Sequence, residues 1–236
     1  MRSPDTIPSA VHSLERDLRG VFGDRLRSLV LYDLHAPEPA PTRTMAVVDE
    51  LGEPELHACA EHVKAWHDKG LATPLLVVAD EFDRSLDVFP LEFGAILADH
   101  LLVAGTNPFK GLEVEPADVR RACELQTRSH LLHLREGYLE TRGAKHALAA
   151  LIVQSAAPLA ALLASVARLD GKADHDHVAA GRHAERLLAV PAGAITDVVK
   201  LVHVAEIPWA EAERLFPPYL DALERLVRYV DRWSAA

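Results

Sequence analysis

The spacing of hydrophobic positions along the chain changes near residue 115. Before it, short apolar runs alternate with segments of helical periodicity. After it, helical segments follow one another with only brief polar breaks. Strands mixed with helices and then followed by helices alone are typical of an α+β protein. The pattern therefore predicts a small mixed α/β domain over residues 8–114, followed by an α-helical bundle over residues 115–236.

The first half contains two helical patterns and up to five apolar runs. The helices cover 11–21, where every third or fourth residue is apolar, and 53–69, where Gly70 stands in the position expected after a helix end. The predicted strands are rich in β-branched or aromatic residues, and they cover 27–32, 44–48, 74–79, 86–97 and 100–104. Pro90 would place the fourth strand at an edge, a bulge or a strand end.

Five helices are predicted in the second half, at 116–142, 144–169, 175–189, 193–204 and 209–233. Pro116 suits the first turn of the first of them. Residues 147–167 carry no charge and are long enough to cross a bilayer. However, this stretch is alanine-rich and contains Gln154, Ser155 and Pro158, as expected of a helix at the centre of a bundle. We therefore expect no membrane span.

Composition narrows the classes of function. The formal net charge of −10 argues against nucleic-acid binding by broad phosphate neutralisation. The two cysteines, Cys59 and Cys123, both fall within helical patterns, so a disulfide framework is not expected. The N-terminus lacks the apolar core of a signal peptide. These features together indicate a cytoplasmic protein that binds neither nucleic acid nor membrane.

Residues 31–51, LYDLHAPEPAPTRTMAVVDEL, comprise a strand end, a tight turn, a proline-rich loop and a second strand. Together with the preceding helix, this arrangement resembles the start of the nucleotidyltransferase fold of the polymerase-β superfamily. In that family the turn reads Gly-Ser and the second strand carries Asp-x-Asp. The glycine lets the backbone approach the triphosphate, and the serine helps to hold a phosphate. The two carboxylates project from one face of the strand and jointly hold Mg²⁺ ions.

The resemblance extends over most of the chain. The stretch 101–114, LLVAGTNPFKGLEV, resembles the exit from the catalytic sheet into the helical domain of two-domain nucleotidyltransferases. The DVFP-x-E stretch and the helix beginning near Pro116 resemble a bacterial group of nucleotidyltransferase-like proteins. The resemblance implies a nucleotidyltransferase-like mixed sheet, followed by a helical domain.

The residues that carry the family's chemistry are replaced. Asp33 and Leu34 stand where the resemblance places Gly-Ser, and Arg43 and Met45 stand where it places the two metal-binding carboxylates. A guanidinium does not bind Mg²⁺, and a thioether is too soft a ligand to select it. The sequence therefore has the strand–turn–strand pattern of the hairpin but lacks the metal ligands that the resemblance implies.

The family also has a third carboxylate on a later strand, for which Asp87 is the nearest counterpart and Glu92 the alternative. One hypothesis is that Arg43 forms an ion pair with Asp87 or Glu92 and so replaces the metal by a salt bridge. The other interpretation is that Arg43 faces solvent, which is the usual state of arginine.

These substitutions favour a non-catalytic nucleotidyltransferase-like protein. It would bind a nucleotide, another small molecule or a protein partner in the cleft between its domains, without a metal or another cofactor. The candidate ligand-binding residues all lie on the hairpin, and they are Asp33, Leu34, His35, Arg43 and Met45.

Two alternatives remain open. An active Mg²⁺-dependent transferase would use Asp87 and Glu92, with Asp33 or Asp49 in support. However, Asp49 and Glu50 are adjacent, so on a strand they point to opposite faces. The other alternative is a structural interaction protein that forms a homodimer through its helical half.

The cluster His175, Asp176 and His177, followed by His183, has a composition that could bind Zn²⁺. It also begins a predicted helix, where residues two apart diverge and where an acidic side chain favours the helix start. We therefore expect a helix N-terminus here and no metal site.

Overall fold

The structure, a computed structural model, describes residues 7–35, 40–82, 84–172 and 176–233. It divides into two compact units, Met1–Glu115 and Pro116–Ala236. All four strands lie in the first unit, and the described part of the second is helical. The predicted α+β class is confirmed.

The first unit is built on one mixed sheet with the strand order β3-β2-β1-β4. Its strands are β1 (Leu26–Tyr32), β2 (Arg43–Val48), β3 (Leu75–Val78) and β4 (His100–Gly105). β1 pairs antiparallel with β2 and with β4, and β2 pairs parallel with β3. Parallel neighbours need a crossover connection, and helix α2 supplies it. The helices of this unit are α1 (Ser9–Phe22), α2 (Glu53–Asp68), α3 (Ala79–Phe82) and α4 (Pro90–Ala98).

Both faces of the sheet are covered by apolar side chains, which explains why β1 and β2 read as nearly continuous hydrophobic runs. On one face, strand residues such as Leu29 and Ala46 pack with residues of α1 and α2, including Leu14 and Trp66. The opposite face carries a second cluster, made of Val30, Met45, Val47, Val77, Phe82, Phe93, Ile96 and Phe109. Helix α4 therefore covers the face that Met45 joins.

The strand predicted over 86–97 is wrong. Residues 84–89 form turns, and α4 begins at Pro90. A short apolar run does not distinguish a strand from a buried helix. Pro90 lies in the first turn of α4, where its missing N–H costs no hydrogen bond. The helix buries Leu91, Phe93 and Ile96 against the sheet unit.

The second unit consists of α5 (Pro116–Glu140), α6 (Lys145–Leu169), α7 (His177–Leu188), α8 (Thr196–Val199) and α9 (Trp209–Arg232). Among the described residues, α6 alone is long and apolar enough to cross a membrane by length and composition. Twelve of its 25 residues are buried, and it packs against α5, α7 and α9. This is the packing of a helix at the centre of a bundle.

One detail of the helical prediction changed and another was met. The helix expected over 193–204 is reduced to α8 and a 3₁₀ segment, Lys200–His203. The start of α7 follows the expectation, because the Asp176 side chain accepts a hydrogen bond from the Val178 N–H at 2.8 Å. His175 lies outside the described residues, and His183 contacts Asp170 at 3.1 Å.

Candidate functional site

The turn after β1 keeps a backbone conformation that glycine favours. Asp33 has a φ of +56°, in the left-handed region. Aspartate tolerates this region better than most residues do, because its short side chain can hydrogen-bond locally. The resemblance placed a glycine at this position. Asp33 therefore adopts the backbone conformation expected of the glycine that the resemblance implies.

A carboxylate of this chain occupies the backbone donors of the turn. The Leu34 N–H donates to Asp99 Oδ2 at 2.9 Å, and the Asp33 N–H donates to the Asp99 carbonyl oxygen at 3.2 Å. His35 Nδ1 lies 3.2 Å from Asp99 Oδ1. The turn that the resemblance led us to expect beside a phosphate therefore contacts an internal anion, the Asp99 carboxylate.

Asp99 was missed by the sequence reasoning. It directly precedes β4, and β4 pairs with β1 so that His100 lies opposite Tyr32. This register brings Asp99 beside the turn at the end of β1. Nothing in the local sequence marks Asp99 as special, because its position depends on a strand pairing across more than sixty residues.

Of the two interpretations of Arg43, the ion pair with Asp87 or Glu92 is not found among the described residues, and the solvent-facing side chain is the one that fits. Arg43 Nε lies 3.7 Å from Asp33 Oδ2, and 55% of its side chain is exposed. A long, exposed ion pair of this kind contributes little to stability. Arg43 also lies opposite Tyr32 on β1. Burial raises the pKa of Tyr32, and the positive charge of Arg43 partly opposes that rise.

Neither Asp87 nor Glu92 makes a hydrogen bond or ion pair with the described residues of the hairpin. Asp87 lies in the turns before α4, and Glu92 lies in the first turn of α4. Both are exposed. Within the described part of the chain, neither carboxylate has a hydrogen bond or an ion pair. Glu92 at a helix start is explained by the favourable interaction of a carboxylate with the helix dipole.

Met45 is fully buried, with 0% of its surface exposed. It lies between Val30 on β1 and Leu75 on β3 in the strand register. The second metal-binding carboxylate of the family would stand here, yet the surrounding cluster is apolar. Mg²⁺ requires oxygen ligands. In the described ranges, no group of three or more His, Cys, Asp or Glu side chains could hold a metal ion. The residues present do not fit Mg²⁺.

The sheet order, the hairpin and the helices that follow define a nucleotidyltransferase-like fold. Among solved structures, the chain is similar to spectinomycin adenyltransferase from Enterococcus faecialis, determined with ATP and spectinomycin. The TM-score is 0.57, the identity is 10%, and the match covers 95% of this chain and 99% of that chain. At this identity the similarity shows the fold alone. No protein-family model and no curated protein sequence matches the chain.

Proposed function

We propose that this chain is a non-catalytic nucleotidyltransferase-like protein that binds a small anionic ligand at the hairpin without a divalent metal. The observation that carries the proposal is the pair of substitutions on β2. Arg43 supplies a permanent positive charge, and Met45 is buried in the apolar cluster where a metal ligand would stand. A metal ion neutralises the carboxylates of an active site. Here a guanidinium provides the positive charge instead.

The accessibility of Arg43 supports a binding role. More than half of its side chain is exposed, and its one ion pair, with Asp33, is long. A guanidinium carries five N–H donors, so it can hold a phosphate or carboxylate while it keeps that contact. A nucleotide is the first candidate ligand because the structurally similar adenyltransferase was determined with ATP.

Asp99 limits how a ligand would bind. The N–H of Leu34 already donates to the Asp99 carboxylate, so a phosphate would compete with a negative charge at the turn. The ligand would therefore depend on Arg43 rather than on the turn's backbone. An active transferase would need the opposite arrangement, with free backbone donors and a metal.

Calorimetric titration with ATP and GTP, each with and without Mg²⁺, tests this function. We expect binding that does not require Mg²⁺ and that Arg43→Ala weakens by about tenfold or more, since a charge-assisted hydrogen bond is lost. Arg27→Ala is the matched control, because Arg27 is an exposed strand arginine paired with Asp49 instead. Asp99→Asn should strengthen binding by removing the competing charge.

Two results would contradict the proposal. Binding that requires Mg²⁺, together with transferase activity lost in Asp87→Ala or Glu92→Ala, would establish the active enzyme. If neither nucleotide binds, or if Arg43→Ala and Arg27→Ala weaken nucleotide binding equally, the hairpin is not the nucleotide-binding site.

The surface of α5 favours a second candidate function, self-association. Leu125, Leu132 and Leu139 are 72%, 62% and 75% exposed. They are spaced seven residues apart, so they form one stripe along the helix. Seven residues is the repeat of one of the two apolar positions in a coiled-coil heptad, and two copies of one stripe can pack across a two-fold axis. The proposed occupant is α5 of a second copy of this chain.

Sedimentation velocity over a range of concentrations tests self-association. We expect the wild type to dimerise and Leu132→Glu to weaken the dimer by about tenfold or more, because it places a charge in a buried seam. Leu56→Glu is the matched control, since Leu56 is a 51% exposed leucine on α2. A monomeric wild type, or equal weakening by both variants, would overturn this candidate.

A further inference from the structure

A cavity of about 390 Å³ lies between the C-terminal parts of α7 and α9. Its walls include three arginines, two aromatic residues and Leu187 of α7. The arginines are Arg225, Arg228 and Arg232, and the aromatic residues are Tyr229 and Trp233. Pockets of this size and mixed lining are typical of small-ligand sites. All of its lining residues belong to the helical unit, and none belongs to the hairpin.

The side chains of two of the three arginines have no partner among the residues that the structure describes. Arg225 donates to Asp221 at 3.0 Å and to the carbonyl oxygen of Ala189 at 3.4 Å. Within residues 7–35, 40–82, 84–172 and 176–233, Arg228 and Arg232 have neither an ion pair nor a hydrogen bond. The sequence has 35 acidic and 25 basic side chains. Two neighbouring arginines without partners are unexpected on a chain with such an excess of carboxylates.

Helix stability does not account for this arrangement. Arg225, Arg228 and Arg232 are three and four residues apart, so their like charges repel one another on the same face of α9. The dipole of α9 favours a cation in its last turn, which explains Arg232 alone. Arg228 lies before that turn. An anion bound between Arg228 and Arg232 would remove the repulsion.

The aromatic wall is held in place before any ligand arrives. The Tyr229 hydroxyl donates to Asp170 Oδ1 at 2.5 Å. His183 Nε2 lies 3.1 Å from the other oxygen of the same carboxylate. Asp170 is therefore engaged by Tyr229 and His183, and the tyrosine ring has a fixed orientation. A preformed wall lowers the entropy cost of binding.

We propose that this cavity binds a small organic oxyanion that carries an aromatic ring. Arg228 and Arg232 hold its phosphate or carboxylate, since guanidinium groups match the geometry of both. The ring packs against Tyr229 and Trp233. The site is separate from the hairpin and does not depend on the function proposed for it.

The test is calorimetric titration of the full chain with phenyl phosphate and with benzoate, which separate the two kinds of oxyanion. Phenol and inorganic phosphate are the comparison ligands. Phenol has the aromatic ring without a phosphate or carboxylate, and inorganic phosphate has the oxyanion without a ring. We expect at least one aromatic oxyanion to bind more tightly than both comparison ligands. Arg228→Ala and Arg232→Ala should each weaken that binding by about tenfold or more, with unchanged melting temperature.

Arg186→Ala is the matched control. Arg186 also lacks a partner among the described residues and lies on α7, but it does not line the cavity. The substitution Arg186→Ala removes the same charge as Arg228→Ala. It should change the affinity for the aromatic oxyanion by less than about twofold, because exposed charges at a distance are screened. Arg43→Ala should bind like the wild type, which separates this site from the hairpin. Failure of both aromatic ligands to bind, or equal weakening by Arg186→Ala and Arg228→Ala, would overturn the proposal.

Discussion

Glu185→Ala is expected to lower the free energy of unfolding by about 3 to 5 kcal/mol. The substitution leaves several N–H and O–H donors inside the protein without their hydrogen-bond acceptor. Glu185 is 5% exposed. Its Oε1 accepts from the N–H groups of Gly193, Ile195 and Thr196 at 2.8–3.0 Å and from the Thr196 hydroxyl at 2.9 Å. One carboxylate oxygen thus organises the connection between α7 and α8.

Urea unfolding followed by circular dichroism measures this loss. Glu185→Gln keeps an oxygen acceptor in place and should therefore cost less than Glu185→Ala. Glu213→Ala removes an exposed glutamate from α9 and should fall within about 0.5 kcal/mol of the wild type. If Glu185→Ala and Glu213→Ala unfold at the same urea concentration, the connection does not depend on Glu185.

The second large effect is a loss of stability at acidic pH caused by His130. Burial lowers the pKa of His130 to about 4, with a smaller contribution from nearby His133. Its Nε2 lies 2.6 Å from the hydroxyl of Tyr219, which is itself fully buried. Burial also raises the pKa of Tyr219, and Ser155 hydrogen-bonds to it. His130 is thus held neutral inside the helical unit.

The direction of the effect follows from proton binding. An unfolded chain protonates this histidine near pH 6.5, whereas the folded chain resists protonation until about pH 4. Between these values the unfolded state binds more protons, so stability falls as pH falls. The loss approaches about 3 kcal/mol at pH 4, from 1.4 kcal/mol for each pKa unit. Carboxylates also titrate in this window, so the comparison must be made between variants.

Urea unfolding from pH 7 to pH 4 should show a shallower decline for His130→Gln than for the wild type. Glutamine keeps a polar group beside Tyr219 but does not titrate. His133→Gln removes an exposed histidine from the same helix and should retain most of the wild-type decline. Parallel curves for the wild type and His130→Gln would show that His130 does not set the acid sensitivity.

The candidate site was only partly predictable from the sequence. Arg43 and Met45 are incompatible with Mg²⁺ ligation because of their own chemistry, which the structure does not alter. The sequence left two interpretations of Arg43 open, an ion pair with Asp87 or Glu92 and a solvent-facing side chain, and the exposed position in the structure fits the second. Asp99 was not anticipated at all, since only the pairing of β4 with β1 brings it to the turn.

The sequence by itself determined the α+β class, the strands of the hairpin and the burial of α6. Each of these follows from the spacing of apolar residues within a few turns or one strand. The tertiary structure decided that residues 90–98 form a helix over the Met45 face. It also decided that Asp99 accepts a hydrogen bond from the turn and that Arg228 and Arg232 line one cavity. These features depend on contacts between distant segments, which local periodicity does not specify.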